Sequence, residues 1–180
     1  MGFEVFDISK YSPRQSDLFL FDASVWMLLF CPLGNYNVRE QRSFSSFLND
    51  VRSSRSSIFM SSLILSEFAN AFLRIDFQHW IKEEKHVGVS YKRDFVGTDR
   101  YKRTVLLIIP IMKKIMSICE KGSDNFNHLD INKILGHFQS IDFNDSYYLE
   151  LSLSSNFKIV TADYDFVKYK DHGLGIITIL

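Results

Sequence analysis

The sequence predicts a three-layer α/β domain with a mainly parallel central sheet. Three observations carry that prediction. The runs Leu18-Phe19-Leu20-Phe21, Ile58-Phe59-Met60 and Ile159-Val160 are continuously apolar, as strands buried on both faces require. Stretches of helical periodicity separate them. Capping or turn-forming polar residues follow each run within three positions: Asp22, Ser61-Ser62 and Asp163. At 180 residues and 46% apolar composition, the chain suits one domain spanning 1–180 with a sizeable core.

Composition excludes some classes. Lys+Arg and Asp+Glu both number 21, so no net field draws the chain to nucleic acid or to an anionic membrane. A polyanion would need a local patch. The 17 phenylalanines predict aromatic packing in the core. Cys31 and Cys119 share no metal-ligand spacing and read as reduced, buried thiols of a cytoplasmic protein. Met1–Lys10 carries Glu4 and Asp7 and lacks the apolar segment of a secretory signal. Leu18–Cys31 is too short to span a bilayer, and Asp22 interrupts it. No membrane association is expected.

Residues 1–17 read as an N-terminal extension with a turn at Ser12-Pro13. The first core strand ends at Asp22, and a short helix over Val25–Phe30 stops near Pro32-Leu33-Gly34. In residues 39–55, Phe44, Phe47, Leu48 and Val51 form one apolar stripe, with arginines around it. After the strand Ile58–Met60, Ser61 and Ser62 cap a helix reaching about Trp80, buried through Phe68, Ala71, Phe72 and Ile75. Glu67, Asn70 and Arg74 make a separate polar row on it.

Residues 82–121 are expected to form an enlarged charged connection and helix. Tyr91, Lys92, Arg93, Phe95, Arg100, Tyr101, Lys102 and Arg103 interleave cations with aromatics. Such surfaces grip sugar–phosphate and stack bases, which makes Lys92, Arg93, Arg100, Lys102 and Arg103 RNA-binding candidates. A solvated connector is the competing reading, because Asp94 and Asp99 dilute the charge. A helix from about Asp99 to Lys121 carries Leu106, Leu107, Ile111 and Ile115, kinks at Pro110 and ends at Gly122. Residues 123–141 give no clear pattern. Ser146–Ser155 fits both alternation and helical spacing, and its length and acid-rich start favour helix. Lys158–Thr161 and Gly175–Leu180 supply the last two strands.

Four acids then sit where strands give way to helices: Asp22, Glu67, Asp145 and Asp163. Two unit charges about 4 Å apart repel by ~4 kcal/mol at an effective dielectric near 20. Carboxylates drawn together therefore raise one another's pKa or require a cation. Oxygen ligands without His or Cys suit Mg²⁺ or Mn²⁺. Ions of that kind activate water and offset the charge developing on a phosphodiester. Taken singly, each acid has an ordinary explanation as a cap, a helix-dipole partner or a turn residue.

The joint pattern resembles the PIN-domain family of metal-dependent ribonucleases, in its toxin type. Leu20-Phe21-Asp22-Ala23-Ser24 matches the family's first motif, and Ser61-Ser62-Leu63-Ile64-Leu65-Ser66-Glu67 its Ser-led helix with an internal Glu. Asp145 followed by Ile159-Val160-Thr161-Ala162-Asp163-Tyr164-Asp165-Phe166 keeps the order of the last two acids. The resemblance implies a PIN-like fold that hydrolyses RNA phosphodiesters. It implies that Asp22, Glu67, Asp145 and Asp163 are catalytic and hold Mg²⁺ or Mn²⁺, with Ser24 and Thr161 giving hydroxyl hydrogen bonds. Asp165 is implied as a secondary ligand and Asn70 as an orienting residue beside Glu67. Asp142 reads as a helix cap sooner than as a further acid of the site. RNA substrate, a small antitoxin protein and a homodimer are the partners this implies. Ser152 departs from the family's small residue in the helix after the third acid.

Other chemistries fare poorly. His79, His86, His128, His137 and His172 lack metal-type spacing. No Gly-x-Ser-x-Gly elbow or Gly-rich phosphate loop is present. Ser24 occupies the position where an aspartyl-phosphate phosphatase needs its second acid. The alternative from another class is a PIN-like module that binds RNA or protein without cutting.

Overall fold

The strand β2 (Leu18–Phe21) lies inside a sheet whose order is β1-β6-β5-β2-β3-β4, with every pairing parallel. The computed structural model describes residues 4–169 and 175–180, so His172 lies outside the described residues. The other strands are β1 (Glu4–Asp7), β3 (Ser57–Met60), β4 (Glu120–Lys121), β5 (Lys158–Val160) and β6 (Gly175–Thr178). The helices are α1 (Ala23–Phe30), α2 (Val38–Ser53), α3 (Ser62–Glu83), α4 (Asp99–Met116), α5 (Ile131–His137) and α6 (Phe143–Ser155). Together they make the expected three-layer α/β architecture.

From β2 the chain builds outward through β3 to β4, then returns to lay β5 on the other side of β2. That reversal opens a crevice at the carboxyl ends of β2 and β5, the place where open parallel sheets gather ligands. Phe21 pairs with Val160, so Asp22 and Thr161 leave adjacent strands side by side. The Asp22 amide donates to Val160 O at 2.9 Å and fixes that register.

The core forms as the apolar pattern requires. Phe19, Phe21, Trp26, Phe44, Phe47 and Val51 are fully buried, and Phe21 stacks on Phe47 with ring centroids 6.2 Å apart. Ser61 caps α3 by accepting the Ile64 amide, and Asn37 caps α2. Residues 143–155 resolve as helix, capped by Asp142. A second small core gathers Phe77, Trp80 and Phe95.

Four expectations need correction. Part of the N-terminal extension is a strand: β1 pairs with β6 along Glu4–Asp7, because an extended apolar segment at a sheet edge finds unpaired backbone groups there. The turn falls at Arg14–Asp17, two residues past Ser12-Pro13, where Asp17 takes the Arg14 amide and closes it. The fourth helix ends at Met116, and Glu120–Lys121 pair with β3 instead. Its buried face is Thr104, Ile108 and Ile115, whereas Leu106 and Leu107 are 68% and 55% exposed. The cause is a polar anchor: Arg100 and Thr104, one turn apart, both bind Asp76 of α3, which fixes the rotation of α4. The unpatterned stretch 123–141 holds a 3₁₀ turn at Phe126–His128 and the short helix α5.

Candidate active site

The crevice is tied together by two hydroxyls. Ser24 Oγ donates to Asp22 Oδ2 and accepts the Ala162 amide at 3.2 Å. Thr161 Oγ1 donates to the same Asp22 oxygen at 3.1 Å and accepts the Asp163 amide at 2.9 Å. Each hydroxyl thus links the end of one strand to the end of its neighbour. Asp163 Oδ1 in turn accepts the Asp165 amide at 2.8 Å, shaping the tight turn after β5. Phe166, fully buried, anchors that turn.

Glu67 enters from the second turn of α3. Two side chains of α6 hold its Oε2: the Tyr148 hydroxyl donates at 2.8 Å and the Asn144 amide at 3.1 Å. Asp145 lies on the first turn of the same helix, where Asp142 accepts its amide at 2.9 Å as the cap. Asn70, expected to orient Glu67, donates its amide to Ser66 Oγ at 3.3 Å. The hydrogen bonds that hold Glu67 come from α6.

The electrostatics record how close the acids lie. Burial, opposed by the Ser24 hydrogen bond and reinforced by the Glu67 charge, pushes the Asp22 carboxyl up to about 6. Burial, followed by the charges of Asp22, Asp142, Asp163 and Glu67, pushes Asp145 up to about 8. Burial and the Glu67 charge also raise the Tyr148 phenol well above its usual range, which keeps it a donor. Among the described residues, no lysine or arginine forms an ion pair with Asp22, Glu67, Asp145 or Asp163. The carboxylates feel one another with no counter-charge paired to them among the described residues. They do not close into a finished shell: among the described residues, no three His, Cys, Asp or Glu side chains form a cluster ready to hold a metal ion. The donor set itself, all oxygen and mutually repelling, fits a hard divalent cation.

No family model and no curated protein matches the chain. Among solved structures it is similar to VapBC2 from Rickettsia felis, bound to a DNA fragment from their promoter. The TM-score is 0.54 at 11% identity, covering 89% of this chain and 98% of that one. The fold is PIN-like. A second similarity, to PAE2754 from Pyrobaculum aerophilum, has 18% identity, covers 89% of this chain and 90% of that one, and reaches a TM-score of 0.47, too low to carry weight.

Around this PIN-like crevice the basic–aromatic segment is placed differently from its expectation as a nucleic-acid surface. Phe95 is fully buried against Phe77 and Trp80, and Tyr91 and Tyr101 pack on the same small core. These rings fill space inside the protein and offer no open stacking platform. Arg100 is occupied by Asp76 at 2.7 Å and by Glu83. Arg93 pairs with Asp94 at 2.9 Å, and Lys102 with Asp99 at 3.4 Å. Lys92 and Arg103 are exposed.

Sequence reasoning missed Tyr148 and Asn144. The signal was present: they lie four apart, on one face of a helix that also carries the third acid. Two clefts of about 690 and 610 Å³ are lined by none of the four acids. A smaller groove of about 400 Å³ does reach the site, lined by Leu63, Ser66, Glu67, Asn70, Ala71, Arg74 and Asn144.

Proposed function

We propose that this chain is a divalent-metal-dependent ribonuclease. The observation that carries the reading is the raised pair Asp22 and Asp145, which face Glu67 with no cationic partner among the described residues. Such an arrangement is costly to keep unless a cation or a reaction uses it. Asp22, Glu67, Asp145 and Asp163 would hold Mg²⁺ or Mn²⁺, which when bound supplies an activated water and offsets charge on the phosphodiester.

The chain's own residues have distinct tasks. Ser24 and Thr161 fix the Asp22 carboxylate by hydrogen bonds to one oxygen. Tyr148 and Asn144 hold Glu67 toward the crevice. Asp165 supports Asp163 through its amide. Asp145, raised to about 8 by burial and its acidic neighbours, would hold the cation as a carboxylate, so binding there would be favoured by rising pH. The similarity to VapBC2 supports a small antitoxin partner for this chain as well.

One observation favours the alternative of a PIN-like module that binds without cutting: the carboxylates do not already form a finished ligand cluster among the described residues. A single experiment separates the two readings. Purified protein is incubated with a panel of RNAs in Mg²⁺, Mn²⁺ or chelator, beside Asp22→Ala. The nuclease reading expects cutting that needs metal and is lost in the variant. Cutting that ignores both chelator and mutation ends the metal mechanism, and binding without cutting selects the alternative.

A further inference from the structure

The groove that runs from Glu67 along α3 contains a cation that the nuclease reading has not used. Glu67, Asn70 and Arg74 stand at i, i+3 and i+7 on one face of α3, so Arg74 lies about 10 Å along the helix axis from Glu67 at ~1.5 Å per residue. All three line the same groove of about 400 Å³, closed on one side by Asn144 of α6. The Arg74 guanidinium sits over the Tyr91 ring, 5.3 Å from its centroid. Among the described residues it forms no ion pair, in contrast to Arg93, Arg100 and Lys102, which carboxylates already neutralise.

We infer that this groove seats the RNA strand next to the scissile position, with Arg74 binding a backbone phosphate. The inference rests on the nuclease reading of the acid crevice. Planar guanidinium donors match phosphate oxygens bidentately, and stacking on Tyr91 holds the plane before the ligand arrives. Asn70 and Asn144 add amide donors and acceptors along the groove between the acids and the cation. A repelling acid cluster needs a cationic handhold close by if a polyanion is to approach it, and Arg74 is the cation that lines this groove.

The test uses the full chain and a mixed-sequence single-stranded RNA. Affinity is measured in chelator across a salt series, and KM and kcat are measured with Mg²⁺ or Mn²⁺. Arg74→Ala is expected to weaken binding about 5- to 10-fold at low salt. It should also flatten the slope of log affinity against log salt by about 0.7, the value for one phosphate contact on a single strand. KM should rise with kcat nearly unchanged, because Arg74 stands away from the acids. Arg74→Lys restores the salt slope if charge is what acts, which a merely structural role of the Arg74–Tyr91 contact does not predict. Metal-dependent cutting with an unchanged salt slope and KM in Arg74→Ala overturns the inference and leaves the nuclease reading standing. A flattened slope in a protein that never cuts RNA supports the groove and removes the nuclease reading. A slope that Arg74→Lys fails to restore also overturns the inference.

Discussion

Asp76 and Asp22 are buried alike, at 3% and 5% exposure, and their surroundings are opposite. Asp76 receives two guanidinium hydrogen bonds from Arg100 and one from the Thr104 hydroxyl. Asp17 is similar, with Lys158 at 2.8 Å, the Tyr11 hydroxyl and the Arg14 amide around it. Asp22 has two hydroxyl donors, faces the charges of Glu67 and Asp145, and forms no ion pair among the described residues. A buried carboxylate with a paired cation fastens elements together: Asp76 joins α3 to α4, and Asp17 joins the start of β2 to β5. The acids that face one another are held by hydroxyl and amide donors alone, Asp22 by Ser24 and Thr161 and Glu67 by Tyr148 and Asn144, so their mutual repulsion is not offset by an ion pair among the described residues. Burial alone does not tell these two kinds of acid apart; the sign of the nearest charge does.

The comparison can be broken by exchanging charge at each place. Asp22→Asn should reduce RNA cleavage by at least ~100-fold, the scale of losing one group that offsets charge in the transition state. Its thermal midpoint should not fall, since a repelled charge is removed. Asp76→Asn should do the reverse. Leaving Arg100 without its buried partner costs about 3 kcal/mol, or a midpoint drop of about 6–12 °C, while cleavage at low temperature persists. Equal stability changes in the two variants would erase the distinction.

The pH dependence sharpens it. Asp22 at about 6 and Asp145 at about 8 both lie above the ordinary 3.8, so the folded state binds more protons than the unfolded one between roughly pH 4 and 8. Their penalty on stability is absent below that window and grows as pH rises through it. In chelator, the melting midpoint should therefore decline from pH 5 to pH 8, as followed by circular dichroism. Asp145→Asn should remove most of that decline and raise the midpoint by roughly 3–6 °C at pH 8, at about 2–4 °C per kcal/mol for a chain of this size. A flat profile in the wild type would mean that the acids do not feel one another.

The smallest effect concerns a neutral group. Ser152 is fully buried in α6 and its hydroxyl has no hydrogen-bond partner among the described residues. Ser152→Ala should stabilise by about 1 kcal/mol, by removing an unsatisfied polar atom and improving helix propensity. A loss of stability would show that the hydroxyl finds a partner after all.

Strands, caps and the three-layer class were legible because local signals agreed: continuous apolar runs for β2, β3 and β5, and Ser61 and Asp142 as caps. The rotation of α4 was not legible. It depends on Asp76, a polar residue on the inner face of α3, whose partners are 24 and 28 residues away. Hydrophobic periodicity carries no information about such an anchor, so Leu106 and Leu107 read as core. The packing of the basic–aromatic stretch was not legible for a related reason. Phe95 looks the same in sequence whether it stacks on a base or, as here, fills a pocket between Phe77 and Trp80. At the site, each acid announced itself through its position after a strand or in a capped helix, whereas Tyr148 and Asn144 gained meaning only when α6 was laid against α3.

On the proposed reading, four carboxylates with no ion-pair partner among the described residues take up a divalent cation. Titration of Mn²⁺ into the wild type and into Asp22→Asn at pH 7.5, read as thermal midpoint, addresses it directly. A ligand that binds only the folded state stabilises it by about 2.7 kcal/mol at 100 times its dissociation constant, so the wild-type midpoint should climb by about 5–11 °C. The variant should climb little. Midpoints that stay level in both proteins, or rise equally, would contradict the claim.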